Sequence, residues 1–216
     1  MHSDIVDLRS FYSTTLGRFA ERSITMALSS IWATVPNERL VGLGYTLPWL
    51  ERFGTDAERV FAFMPATQGA VVWPATGPTA TALVFDEELP LVDSCIDRML
   101  LVHSLEHVEN PRETLNEIWR VLSPAGRVVI VVPNRRGVWA RFEHTPFVYA
   151  LLAQSHDERN RAMVAHDLSK TFLSRSRTLN SVKFICSGVT EIRLACMAAR
   201  SVPGSGLLCT RLKPIQ

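Results

Sequence analysis

The chain has 216 residues, 47% apolar and 20% charged, with a mean hydropathy of +0.10. That composition excludes a disordered, collagen-like or disulfide-stapled chain, and the length suits one domain with an appendage. A net charge of +2 is too small for a nucleic-acid footprint, and no apolar run nears the ~20 residues of a membrane helix. Cys95, Cys186, Cys196 and Cys209 form no Cys-x-x-Cys pair, which argues against a zinc ribbon or redox motif. Without an export-type basic and apolar start, the expected compartment is cytoplasmic.

Ile5, Leu8, Tyr12, Leu16 and Phe19 recur at spacings of three and four, predicting one or two packing helices between Asp4 and about Ala33. After Pro36-Asn37, Arg39 to Gly42 reads as a strand, Gly42 to Thr46 as a glycine turn, and Pro48 to Phe53 as a short helix stopped at Gly54. Further strands are expected at Arg59 to Met64, Ala80 to Phe85 and Arg98 to Val102. Asn110 as N-cap, Pro111 in the first turn and Glu113 three residues on open a helix with Leu115, Ile118, Trp119 and Leu122 along one face. Ser123-Pro124-Ala125-Gly126 is its expected stop. Arg127 to Val132 lacks polar alternation, as befits a strand covered on both faces. Strands and helices interleave, so the fold class is α/β with a mostly parallel sheet.

Near residue 150 the composition changes. The net charge is −4 up to 149 and +6 beyond it, and all five tryptophans precede the break. The expected organisation is therefore a core at 1–149 and a divergent segment at 150–216. The second contains a polar helix candidate at Gln154 to Phe172 and strand candidates at Val182 to Cys186, Ile192 to Cys196 and Leu207 to Thr210. Its arginine excess reads either as a lid or substrate element or as a segment following a change of reading frame near 148.

In a parallel sheet, ligands bind beyond the carboxyl ends of the strands. Those ends carry Gly42-Leu43-Gly44-Tyr45-Thr46, Phe63-Met64-Pro65, Asp86-Glu87-Glu88-Leu89-Pro90 and His103-Ser104-Leu105-Glu106-His107. The two glycines allow backbone N–H groups to approach a ligand, with the next helix N-terminus favouring an anion. His103, His107 and His144 are candidate bases, because an unperturbed histidine titrates near neutrality. The pentad from His103 also fits His-x-x-Glu-His, a zinc peptidase pattern that requires all five residues inside one helix.

Asp97, then Leu105-Glu106-His107-Val108, Pro111, and Leu115-Asn116-Glu117-Ile118-Trp119-Arg120-Val121-Leu122-Ser123-Pro124-Ala125-Gly126 form a nearly continuous pattern. Following a glycine turn and an acid-Leu-Pro segment, it resembles the class I S-adenosylmethionine-dependent methyltransferases of the type-11 group over roughly 38 to 134. The resemblance implies a Rossmann-like methyltransferase sheet, closed by an antiparallel pair of strands after the fifth. It implies S-adenosyl-L-methionine as cofactor and transfer to a small-molecule acceptor. It sets Gly42 and Gly44 along the methionine part, Asp86 and Glu87 near the adenine and His103 beside the sulfonium, with Tyr45 and Met64 as further cofactor-binding residues and His103 and His107 as catalytic candidates. Leu40 and Thr46 replace an acid and a third glycine of the family pattern, and Phe63-Met64-Pro65 stands where the family carries a ribose-binding carboxylate. A backbone group or Gln68 is the expected substitute partner for those hydroxyls. A module that keeps the sheet without cofactor chemistry is the other class of reading.

Overall fold

The computed structural model describes residues 4–133, 182–187 and 193–197. Seven strands form one sheet: β1 (Arg39–Gly44), β2 (Arg59–Pro65), β3 (Thr81–Val84), β4 (Ile96–Val102), β5 (Leu122–Pro133), β6 (Val182–Ser187) and β7 (Arg193–Met197). Their order is β3-β2-β1-β4-β5-β6-β7, parallel throughout except for the antiparallel β6–β7 pair. The expected α/β architecture is present, with a Rossmann-like order of its first five strands. The boundary at 149, His144, and the candidates at 154–172 and 207–210 lie outside the described residues.

Strand alternation builds two cores. In β4, Leu100 and Val102 face a cluster shared with α1 (Ile5–Ser13), α2 (Thr15–Ile31) and α3 (Leu47–Phe53), whereas Met99 and Leu101 face α4 (Pro111–Val121) with its Leu115, Ile118 and Val121. Each of these strand side chains is fully buried, which contributes about 1.5–3 kcal/mol apiece.

The N-terminal pattern divides into two helices. Thr14 is extended, its hydroxyl caps α2 by accepting from the Gly17 N–H, and a Cβ on Gly17 would lie 2.0 Å from the Phe11 carbonyl oxygen. Glycine is thus required where the helices meet. The break rotates the apolar stripe, so Leu16 and Phe19 face solvent while Ile24, Ala27 and Leu28 are buried.

Two local expectations around α4 are corrected. Asn110 makes no side-chain cap; its carbonyl oxygen instead accepts from the N–H groups of Glu113 and Thr114. The helix ends at Val121 and Leu122 already pairs with Ile96, so Ser123 to Gly126 form a bulge opposite Asp97 rather than a free loop. Asp97 accepts from the backbone N–H and the guanidinium of Arg39 and from the Ser123 hydroxyl. The Arg39 guanidinium holds its carboxyl below the usual range. It ties β1, β4 and β5 together at their amino ends, away from the ligand rim.

Candidate active site

Strand order reverses between β1 and β4, where Gly44 pairs with Val102, and a crevice opens beyond such a switch point. Gly44 has φ +85°, and a Cβ there would lie 2.4 Å from the Val102 carbonyl oxygen and 2.9 Å from the Ser104 Cβ. Only glycine meets both demands. Gly42 lies inside β1, and a Cβ on it would meet Thr46 Oγ1 at 2.1 Å. The room above Gly42 is therefore occupied by Thr46, the residue standing at the family's third glycine. The N–H groups of Tyr45 and Thr46 donate to the carbonyl oxygens of Val102 and Gly44. The two glycines thus serve the chain's own close packing, and α3, seven residues long, adds little dipole.

His103 follows β4 with φ +52°, a left-handed conformation that costs a non-glycine residue roughly 1–2 kcal/mol. Gln68 helps to hold it there, donating from its side-chain amide to the His103 carbonyl oxygen at 2.9 Å. The Gln68 carbonyl oxygen in turn accepts from the Ile5 N–H, which fastens the start of α1 to the rim.

The His103 imidazole joins two partners. Its Nδ1 lies 2.9 Å from Glu106 Oε1, and its Nε2 lies 2.7 Å from the Tyr12 hydroxyl. His103 and Glu106 side chains are 1% and 3% exposed, so this is a buried relay. A carboxylate accepts only, so with Glu106 ionised Nδ1 carries a hydrogen, and in the neutral ring Nε2 then presents its lone pair to the phenol, an assignment from the bonding network. Burial, then the neighbouring Tyr45 and Glu106, raise the Tyr12 pKa well above the ordinary phenol, keeping it the donor. The Tyr12 ring stacks on Tyr45 at 5.1 Å and 13°, and meets Trp49 edge-on at 5.6 Å and 89°. Burial also pushes the Tyr45 hydroxyl up to about 12.

The remaining predicted residues are placed apart. Met64 is fully buried at the end of β2, its sulfur accepting from the Val71 N–H at 3.2 Å. Asp86 and Glu87 form the tip of the turn closed by the Phe85–Glu88 bridge. Burial, with Glu87 adding, raises Asp86 to about 6. Glu87 is exposed and lines an open surface cavity of about 570 Å³ with Trp119 and Arg120. Arg120 binds Glu117, Asp93 and the Leu89 carbonyl oxygen, and Glu117 accepts from the Leu89 N–H, which staples this loop to α4. His107 is buried in the turn closed by its N–H on the Ser104 carbonyl oxygen.

The His-x-x-Glu-His pentad lies at a strand end and in a turn, not in a helix. The zinc-peptidase pattern therefore lacks the helical register that would align its two histidines, and among the described residues no group of three or more metal-ligating side chains gathers.

Sequence reading passed over Tyr12, Thr46 and Ser104 as polar members of this rim. Tyr12 is 91 residues from His103, and its helical spacing marks it only as core. Thr46 Oγ1, Ser104 Oγ, Gln68 Oε1 and Asp86 Oδ1 are buried atoms with no hydrogen-bond partner among the described residues, on the segments that follow β1, β4, β2 and β3.

Residues 41–130 match the family model described as "Methyltransferase domain". No curated protein matches the chain. Among solved structures, the chain is similar to a protein of Methanococcus maripaludis assigned as an S-adenosyl-L-methionine-dependent methyltransferase, with 11% identity, 94% and 96% of the two chains covered, and a TM-score of 0.55. It is also similar to SAM-dependent methyltransferases from Thermotoga maritima (20% identity, 63% and 62% covered, TM-score 0.47) and Aquifex aeolicus (16% identity, 56% and 68% covered, TM-score 0.42). The chain spans less than two thirds of the Thermotoga protein's length. No helix among the described residues is long and apolar enough to cross a membrane. The match over residues 41–130 thus falls on the Rossmann-like sheet described above, from β1 to β5.

Proposed function

We propose that the chain transfers a methyl group from S-adenosyl-L-methionine to a small-molecule acceptor at the β1–β4 crevice, with His103 as general base. The observation that carries this reading is the buried His103–Glu106 pair at the end of β4, inside the region that matches the methyltransferase family model and at the strand-order reversal. Burying an imidazole and a carboxylate is costly, and well-packed apolar side chains of similar size would hold a core at least as well.

The cofactor's hydroxyl, amine and carboxylate groups need polar partners, and the unpartnered Thr46, Gln68, Ser104 and Asp86 atoms fit that need. Gln68 and Ser104 would serve the ribose level in place of the family's carboxylate, with Met64 packed beneath, and Asp86 with Glu87 the adenine side. The bound cofactor supplies an electrophilic methyl group on its sulfonium. Glu106 holds the imidazole in one tautomer, and Nε2 accepts the acceptor's proton once the Tyr12 hydroxyl has left it. Holding acceptor and cofactor at reacting distance lowers the barrier by roughly 7–11 kcal/mol. His107 braces the turn that carries Glu106.

A second reading, a scaffold without cofactor chemistry, is favoured by the Thr46 side chain filling the space above Gly42. Titration calorimetry of the intact chain with S-adenosylmethionine and with its demethylated product separates the two. Saturable binding weakened by Ser104→Ala and Gln68→Ala supports the enzyme. Absence of heat at millimolar ligand leaves only the scaffold.

A further inference from the structure

We propose that Tyr12 is a built-in stand-in for the methyl acceptor, and that the acceptor is an aryl hydroxyl seated in the slot Tyr12 now fills. The inference rests on the methyltransferase reading and adds a substrate class to it.

Three observations converge on the slot. First, three of the four rings around it lie outside the helix that fills it, the fourth being Phe11 of α1 itself, edge-on at 5.2 Å. Tyr45 follows β1, Trp49 is in α3 and His103 follows β4, and they bound the Tyr12 ring at 5.1, 5.6 and 5.8 Å between centroids. A parallel face, a perpendicular edge and a tilted imidazole together suit one flat six-membered ring. Second, the ring's oxygen is delivered to the one nitrogen that can take its proton. The hydroxyl lies 2.7 Å from Nε2 while Nδ1 is engaged with Glu106 at 2.9 Å. Third, the partnerless polar atoms of Thr46, Gln68 and Ser104 sit on other side chains of the same rim. A polar cofactor has its own partners there, which leaves the aromatic slot for the other reactant. The upward shift of the Tyr12 phenol agrees with a slot that keeps a hydroxyl protonated until a base takes its proton.

With α1 lifted, a free phenol enters as Tyr12 leaves. Its oxygen lone pair forms the new bond to the methyl carbon as the carbon–sulfur bond breaks, and that bonding pair stays on sulfur, giving the neutral thioether. The phenolic proton passes to His103 Nε2 and from there to solvent, so charge and atoms balance without a further reactant. Alkyl amines and alkyl thiols lack the ring for which the Tyr45 and Trp49 walls are arranged.

The test uses the full chain and 4-methylphenol, the tyrosine side chain in free form, with toluene and 4-methylaniline as comparators. Binding is followed by calorimetry and by hydrogen exchange of the α1 amides, and product by mass spectrometry after S-adenosylmethionine is added. The expected result is that 4-methylphenol binds, toluene does not, α1 amides lose protection on binding, and 4-methoxytoluene forms. Tyr12→Phe removes the competing hydroxyl, so the apparent affinity for 4-methylphenol should rise about fivefold, the equivalent of roughly one hydrogen bond. His103→Gln should abolish methylation and the preference over toluene. Equal binding of toluene, unchanged α1 exchange, or methylation of 4-methylaniline in preference to the phenol would each overturn the inference. Cofactor binding is measured separately: a chain that binds S-adenosylmethionine but ignores phenols sinks only the acceptor assignment, whereas one that never binds the cofactor sinks the methyltransferase reading beneath it.

Discussion

If His103 couples Tyr12 to Glu106, removing either partner should change what the other is worth. The decisive perturbation is a double-mutant cycle of Tyr12→Phe and Glu106→Gln. The Phe ring keeps the stack on Tyr45 and the edge contact with Trp49, so the first change deletes only the 2.7 Å bond to Nε2. For a buried pair that loss is about 1–3 kcal/mol. The second change keeps shape but removes the charge opposite Nδ1, and bonds to charged groups are worth about 1.5–3 kcal/mol. Once Glu106 is neutral the imidazole is no longer restricted to the Nδ1–H tautomer, so Nε2 is a poorer acceptor for Tyr12. The double variant should therefore lose less than the two single losses together, by about 0.5–1.5 kcal/mol. Urea unfolding of the four proteins at neutral pH measures this, and ¹⁵N shifts of His103 report the tautomer. Additivity within about 0.3 kcal/mol, or an Nε2–H imidazole in the unaltered chain, would refute the relay.

Asp97 has a folded pKa below its unfolded value, so its contribution is present above the unfolded pKa and fades as pH falls through the folded one. Asp97→Ala should cost about 2 kcal/mol near pH 7 and much less near pH 3, read from acid and urea titrations. Asp86 has the opposite sign: its pKa is raised to about 6 by burial, so its ionisation destabilises the fold as pH climbs through that value. Asp86→Asn should stabilise the ligand-free chain by about 1 kcal/mol at pH 8, allowing for partial exposure, with no gain near pH 4. A gain that grows on acidification would contradict this. Gly44→Ala forces a Cβ to 2.4 Å from the Val102 oxygen at φ +85°, and should lower stability by about 2–4 kcal/mol in thermal or urea unfolding.

Local chemistry made much of the fold legible. The unalternating run from Val128 to Ile130 and the Pro111 start of α4 each respond to forces acting within a few residues, so strand and helix emerge at their expected places, whereas the expected turn at Gly42 is still strand, β1 running on to Gly44. The sequence pattern from Leu105 to Gly126 also lies within residues 41–130, which match the family model described as "Methyltransferase domain". Where reading failed locally, a tertiary demand had prevailed: Ser123 to Gly126 became a bulge because Leu122 pairs with Ile96 and Ser123 reaches Asp97.

The composition of the rim was beyond local inference. Tyr12 reads as one more apolar position on a helix, and only the docking of α1, fastened through Ile5 to Gln68, carries its hydroxyl to a histidine 91 residues away. Likewise Gly42 and Gly44 read as a cradle for a ligand, yet Thr46 and the Val102 carbonyl oxygen occupy the space their missing side chains leave. Sequence by itself determined most of the elements, because periodicity and proline and glycine chemistry are short-range. Which side chains meet at the crevice was decided only by tertiary packing, because contacts between distant segments depend on how helices and strands fill space together.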